Sequence, residues 1–413
     1  MQPRRRRSIV EDKVLRRHKP DYILLLLSVV LLAIGMVVVY AIGPGLSAQK
    51  NVGENYYVGK QLTAIILGII AFVVTAKLPT KWWHKFEKPL IIAAAVAAVS
   101  VRLFGEEVNG AYRWIQMGGL SFQAAELIKF ALLVWLAGFL AERIKNNEIN
   151  DYRRTLKPIA IAFGLIVVVV AVLQSDLGST TVMLAIMASM IFVAGMPLRR
   201  VLLIAGIVAI SVTLLISTSS YRRDRFSTFL NPTRDCQSTG YQACQALIAV
   251  GSGGIAGLGL GRGVQAYGYL PEAANDSIFA ILAEKFGFIG VSVILGLFLA
   301  FFARIKNIIE RAPDNFSQLL SVGVLAWLST QAIINIGAMI GLLPLKGITL
   351  PFISYGGTSL VFIMAAIGMV FQISRYTTYS ISTNQNVEGK RHESTPDRRR
   401  FRGAYHPGAS GRS

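Results

Sequence analysis

The chain is divided into long apolar runs with almost no charge inside them, and no other feature restricts its fold as tightly. A helix needs about 20 residues to cross the ~30 Å hydrocarbon core of a bilayer. Runs near that length are read at roughly 22–42, 61–78, 89–104, 120–141, 158–174, 177–196, 201–218, 278–303, 317–342 and 358–374. They are continuous rather than alternating, so helices and not the strands of a closed barrel satisfy the backbone in lipid. The expected fold is all-α, a polytopic membrane protein with about ten transmembrane helices. The third run is the weakest, being short and carrying Arg102 near its end. A chain of 413 residues that is 53% hydrophobic and 15% charged is too apolar for an ordinary soluble protein.

Basic residues orient the bundle. With the N-terminus inside, 30 of the 42 Lys and Arg fall in segments assigned to the cytoplasm, the bias that marks the inner face of a membrane protein. An even number of spans returns the C-terminus to the same side, and the net charge of +20 is mostly topology. The expected organisation is a basic cytoplasmic tail over 1–20, a transmembrane domain over 21–378 and a basic, disordered cytoplasmic tail over 379–413. The clusters Arg4 to Arg7 and Arg398 to Arg402 are read as lying against anionic membrane lipids or docking acidic partners, with no nucleic acid partner. The first run is too long for a signal-peptide core and reads as an anchor.

Between the seventh and eighth spans lies a large extracytoplasmic loop, 219–277. Connections of that length carry function more often than short ones. Within it "YQACQALIAVGSGGIAGLGLGRG" reads as a short amphipathic helix and a glycine-rich turn. The glycine spacing fits neither dinucleotide nor P-loop patterns, which excludes a nucleotide site. Close packing of a re-entrant segment and close approach to a lipid diphosphate both remain open. Cys236 and Cys244 share this loop, and spacing alone leaves them either bridged or free.

Carboxylates narrow the chemistry. Of 22 acids, 12 are assigned to the cytoplasm, 8 to the outer side and 2, Glu126 and Glu284, to the spans. Ionisable groups in a membrane are costly and face protein or a wet cavity. Lys129 follows Glu126 by one helical turn, as a structural ion pair or as the floor of a polar cavity. Asp276, in "LPEAANDSIFAILAEKFGF", sits where the outer loop becomes a helix, with Glu272 four residues earlier. Asp176 is placed to cap the sixth span or to face the same cavity. "LPFISYGGTSL" interrupts a spanning pattern with Pro351, Gly356 and Gly357, which places Ser354 and Tyr355 along protein or a substrate cavity.

Together "NGAYRWIQMGGLSFQAAELIKFALL", "LQSDLGSTTV", "YRRDRFSTFLNP", "YQACQALIAVGSGGIAGLGLGRGVQAYGYLPEAANDSIFAILAEKFGFIG" and "INIGAMIGLLPLKGITLPFISYGGTSL" resemble the SEDS family (shape, elongation, division and sporulation), and within it the FtsW branch, from about Asp21 to Tyr376. The resemblance implies a peptidoglycan glycosyltransferase in the bacterial cell membrane, active on its extracytoplasmic face at the division septum. It implies polymerisation of lipid II with release of undecaprenyl diphosphate, alongside a class B penicillin-binding protein and other division proteins. By the family motif Asp276 is the catalytic carboxylate, and Arg113 and Arg225 stand on motif positions as candidate diphosphate contacts. Glu126, Lys129, Glu272, Glu284, Ser354 and Tyr355 are further candidates for the substrate cavity. A divalent cation, Mg²⁺ or Mn²⁺, is a candidate cofactor, and no ligand cluster marks a metal site.

The sequence departs from the family pattern beside the acid, where Ala274-Asn275-Asp276-Ser277 replaces a histidine-containing motif, and after Glu284, where Lys285 replaces a second acid. An elongation-type polymerase, a lipid II transporter and a non-catalytic division scaffold are the alternatives. A transporter places its charged site near the midplane, whereas Asp276 and its candidate partners gather on one side.

Overall fold

The computed structural model describes residues 13–108, 111–117, 120–201, 203, 206, 229–230, 236–238 and 240–380. Leu15–Thr378 form one compact unit, and Met1–Val14 with Tyr379–Ser413 form another, described only at its inner edges. Most of the seventh expected span, the basic clusters of both tails and Arg225 lie outside the described residues.

The helices are α1 (Tyr22–Gln49), α2 (Tyr56–Lys77), α3 (Thr80–Phe104), α4 (Ala124–Lys145), α5 (Lys157–Ile166), α6 (Leu177–Val193), α7 (Tyr241–Ser252), α8 (Ile278–Glu310), α9 (Asn315–Met339) and α10 (Gly357–Ile373). Turns of π-helix flank α5 and extend it to 22 residues, Tyr152–Leu173, apolar after Lys157. Among the described residues, α1, α2, α4, the extended α5, α8 and α9 are long and apolar enough to cross a membrane. The apolar α6 and α10 have 17 residues each, and α3 carries charge in its first turns. The fourth run starts later than its hydropathy indicates. Leu120–Gln123 is a strand (β3), antiparallel to Ala111–Met117 (β2), which also pairs with Glu106–Val108 (β1). This small sheet departs from the all-helical expectation. Its residues lie between runs too short to have shown a period of their own.

Burial separates central helices from peripheral ones. In the most apolar stretch of α4 and of α9, 72% of residues are buried, against 22–33% in α1, α2, α5 and α8. The outer helices turn Leu26, Ile70, Val74, Leu165 and Leu299 outward, as required of a surface that meets lipid. Close packing uses small residues, since lipid competes equally for apolar side chains. A side-chain carbon at Gly368 of α10 would lie 2.0 Å from Thr75 Oγ1 of α2, and one at Gly35 of α1 would lie 2.7 Å from the backbone of Ile353.

The first turns of α8 are clamped to a segment some thirty residues earlier in the chain. The helix breaks at Gly287, whose φ of 63° suits glycine. The glycine-rich stretch after α7 docks on the break. Leu258 and Gly259 donate backbone N–H groups to the carbonyls of Glu284 and Lys285 at 2.9 Å, and Phe288 and Ile289 donate to Gly254 and Ile255 at 2.9 and 3.1 Å. A side-chain carbon at Gly257 would lie 2.3 Å from the Lys285 carbonyl oxygen. The glycines therefore serve close backbone packing at a broken helix, and their place here requires no phosphate. Cys236 and Cys244 form a disulfide at the start of this region.

Candidate active site

Asp276 lies in the turn that leads into α8, half-buried, at a cavity of about 420 Å³. Its backbone is held from three directions. The Tyr355 N–H donates to the Ala274 carbonyl at 2.8 Å, Ser354 Oγ donates to the Asn275 carbonyl at 2.6 Å, and Asn335 Nδ2 donates to the Asp276 carbonyl at 2.7 Å. Asn335 also donates to the Ile348 carbonyl at 2.7 Å and so ties the turn to the 346–350 segment. Ser354 in turn accepts the Leu350 N–H at 2.7 Å. Three consecutive carbonyls caught by two other chain segments leave the Asp276 side chain on a fixed support.

The rest of the turn is internally braced. Glu272 adopts a φ of 52°, unusual for a side-chain-bearing residue, and its carboxylate accepts from Asn275 Nδ2. Gln242 of α7 donates to Ser277 Oγ at 3.1 Å. Asn275, which stands in the departure from the family motif, thus holds Glu272 in place.

On the bundle side the cavity reaches α4. Lys129 Nζ and Glu126 Oε1 are 2.8 Å apart, with both side chains at most 4% exposed, and the ammonium lies 5.2 Å from the ring of Trp327. The two readings of this pair are compatible: it is an ion pair and it lines the cavity. Glu126 Oε2 and Gln331 Oε1 are buried without a hydrogen-bond partner among the described residues, leaving acceptor capacity in the cavity wall. Arg113 of β2 also lines the cavity while donating to the carbonyls of Gln174 and Ser175 at 3.3 and 2.5 Å. Lys50, next after α1, adds a third cation.

Tyr355 borders the cavity and packs edge-on against Tyr57 at 5.3 Å. Burial, with Tyr56 and Tyr57 adding to it, pushes its phenol above the usual tyrosine range, so it stays protonated at neutral pH. Asp176 caps α6 through the Ser179 N–H and Oγ at 2.9 and 2.8 Å. Lys346 reaches Thr181 at 3.1 Å, and burial lowers its pKa while Asp176 opposes part of that effect.

The structure thus gathers Asp276, Glu272, Arg113, Glu126, Lys129 and Tyr355 around one cavity. Ser354 sits behind it as a backbone brace. Glu284 does not line it: that carboxylate is fully buried and accepts the Gln265 N–H at 3.1 Å. It begins a helical face turned toward the glycine-rich stretch, whereas Asp276 precedes the helix. Asn335, Gln331 and Lys50 were not singled out in the sequence. Asn335 and Gln331 are amides one turn apart inside an apolar span, a pattern that marks a polar helix face although neither residue carries charge.

A family model described as "Cell cycle protein", for FtsW, RodA and SpoVE, matches residues 22–379. The chain belongs to the FtsW/RodA/SpoVE family. Stage V sporulation protein E of Bacillus subtilis is 36% identical over 368 residues, 88% of this chain and 99% of that protein. A probable peptidoglycan glycosyltransferase FtsW of Saccharophagus degradans is 37% identical over 376 residues, 90% and 95% of the respective chains. A chain from a structure on coordination of polymerization and crosslinking by a peptidoglycan synthase complex superposes with a TM-score of 0.71 at 27% identity, covering 86% of this chain and 98% of its own. Thermus thermophilus RodA does so with a TM-score of 0.64 at 26% identity, covering 86% and 97%. The family is an integral membrane one, in keeping with the apolar helices.

Proposed function

We propose that this protein is a peptidoglycan glycosyltransferase that polymerises lipid II on the extracytoplasmic face of the cell membrane, in septal wall synthesis. The observation that carries the reading is the cavity itself, in which a backbone-clamped carboxylate, Asp276, shares one polar chamber with Arg113 and Lys129. FtsW-named relatives favour the division role, and an elongation role is the nearest alternative. The reading includes ten spans with both termini cytoplasmic, a class B penicillin-binding protein as partner, and assembly with other division proteins.

The chemistry follows from the substrate. Joining an α-linked diphosphosugar to a 4-hydroxyl with β geometry inverts the anomeric carbon, so direct displacement suffices. Asp276 takes the hydroxyl proton as the oxygen attacks C1, the C1–oxygen bond to diphosphate breaks, and polyprenyl diphosphate leaves. Arg113, Lys129 and Lys50 offset the charge of the diphosphate, and Arg225 is proposed to join them. Glu272 shapes the mouth of the chamber. Among the described residues, no three His, Cys, Asp or Glu side chains gather as a metal cage. A Mg²⁺ or Mn²⁺ ion would therefore be held mainly by diphosphate oxygens with one carboxylate of Asp276 or Glu272, supplying further charge neutralisation.

The test is polymerisation of labelled lipid II by the full chain co-expressed with its class B penicillin-binding protein. Wild type should form glycan ladders, and Asp276→Asn should lose at least ~100-fold in rate, the usual contribution of a general base. Equal ladders from both would remove Asp276 as the base. No ladder from a folded, bound wild-type complex would favour a transporter or scaffold.

A further inference from the structure

A second polar cavity, of about 240 Å³, lies where the start of α1 meets the far ends of α8 and α10. Ile308 stands thirty positions after Ile278 along α8, at most ~45 Å given the break at Gly287, so this cavity is at the end of the bundle opposite Asp276. We propose that it binds the phosphate of an anionic lipid headgroup in the opposite leaflet, a role separate from polymerisation.

The frame is built rather than incidental. Asp21 caps α1 through the Leu24 N–H at 3.0 Å, donates its own N–H to Ser374 Oγ at 3.0 Å, and accepts from Arg304 Nη2 at 2.6 Å. The His18 N–H donates to the Arg375 carbonyl at 2.8 Å and fixes the approach to α1. Into this frame come His18, Lys19, Arg304 and Arg311, against Asp21 as the one acid among the described residues that line it. Cations near helix C-termini are favourable on their own, and that accounts for Arg311 after α8. It leaves unexplained why the lysine and both arginines converge on one cavity, and why Arg304 Nε is buried with no hydrogen-bond partner among the described residues. A phosphate supplies several strong acceptors and a negative charge, which satisfies both. Basic pockets between helix ends on the inner side of a membrane are suited to phospholipid headgroups.

The experiment is native mass spectrometry of the full chain extracted from vesicles containing phosphatidylglycerol and phosphatidylcholine in equal amounts. The double variant Lys19→Glu with Arg311→Glu changes two residues whose side chains are exposed, and Lys306→Glu, on α8 outside the cavity, is the control for diffuse charge. Wild type and Lys306→Glu should each retain one phosphatidylglycerol through activation that strips phosphatidylcholine, and the double variant should lose that retention at least tenfold. Equal retention of both lipids, an unchanged double variant, or equal loss in Lys306→Glu would overturn the proposal. Inorganic phosphate at millimolar concentration distinguishes the source. Thermal protection by phosphate without lipid retention would make the cavity a site for free anions and overturn the lipid assignment.

Discussion

Two lysine–carboxylate combinations are buried in the membrane part of this protein, and they do different work. Glu126 and Lys129 are one turn apart on α4, bond directly at 2.8 Å and face the chamber that holds Asp276. Glu284 and Lys285 are adjacent on α8, and both side chains reach the glycine-rich stretch beside Gly263, where each bonds to backbone. Glu284 accepts the Gln265 N–H, while Lys285 donates to the Gly263 carbonyl at 3.1 Å. The first pair charges a cavity and the second clamps a broken helix. Burial alone does not distinguish them, since all four residues are at most 3% exposed. What differs is whether the bonding capacity left over opens onto space or onto backbone.

Removing one lysine at a time gives the largest expected effects. Lys129→Met and Lys285→Met each leave a carboxylate buried in low dielectric, a change that costs about 3–5 kcal/mol when a buried pair is broken. Both variants should therefore melt well below wild type in detergent. Neutralising the carboxylate separates them. Glu126→Gln with Lys129→Met should recover most of the melting temperature and still form no glycan ladders, because the chamber has lost its most deeply buried cation. Glu284→Gln with Lys285→Met keeps an acceptor for the Gln265 N–H and should recover both stability and ladders. A second double variant that folds but does not polymerise would break the comparison and bring Glu284 back into the chemistry.

The sequence conveyed these two pairs unequally, for a physical reason. Hydropathy reports the cost of removing a segment from water, so the apolar runs were readable and their helices follow them closely, as with Leu177–Val193 against the expected 177–196. Hydropathy carries no direction within a span. That Glu126 faces the chamber and Glu284 faces a loop depends on how helices pack, and on the break at Gly287 that turns the start of α8 toward residues some thirty positions earlier. The strands at 106–123 were missed because three short segments between apolar runs offer too few residues to show alternation. Asn335 was missed because an amide in an apolar run has no charge to draw attention, though it bonds to the backbone on both sides of the site.

Asn335 extends the comparison to neutral groups, and its removal ranks next. It bridges the carbonyls of Asp276 and Ile348 from within α9. Asn335→Ala should cost about 1–3 kcal/mol, the range for leaving buried polar groups unsatisfied. If it acts by positioning Asp276, ladder formation should fall about tenfold at saturating lipid II with the half-saturating concentration little changed. A fall that is wholly restored by raising lipid II would instead mean that Asn335 shapes binding.

The smallest substitutions are at two glycines that lie beside the two carboxylates. A side-chain carbon at Gly347 would sit 3.7 Å from Asp276 Oδ2, an ordinary contact, whereas one at Gly263 would sit 2.5 Å from Glu284 Oε2 and 2.7 Å from Lys285 Nζ. Gly347→Ala should leave the melting temperature unchanged and slow polymerisation only a few-fold, because its methyl enters space that substrate needs and protein does not. Gly263→Ala should do the reverse, costing about 1–3 kcal/mol as an overpacked interior site while the rate per folded molecule stays near wild type. The same one-carbon change thus asks each carboxylate what surrounds it. A stability loss at Gly347 with no change in rate would mean that the space beside Asp276 is closed in the working protein, and the contrast between the two pairs would fail at that point.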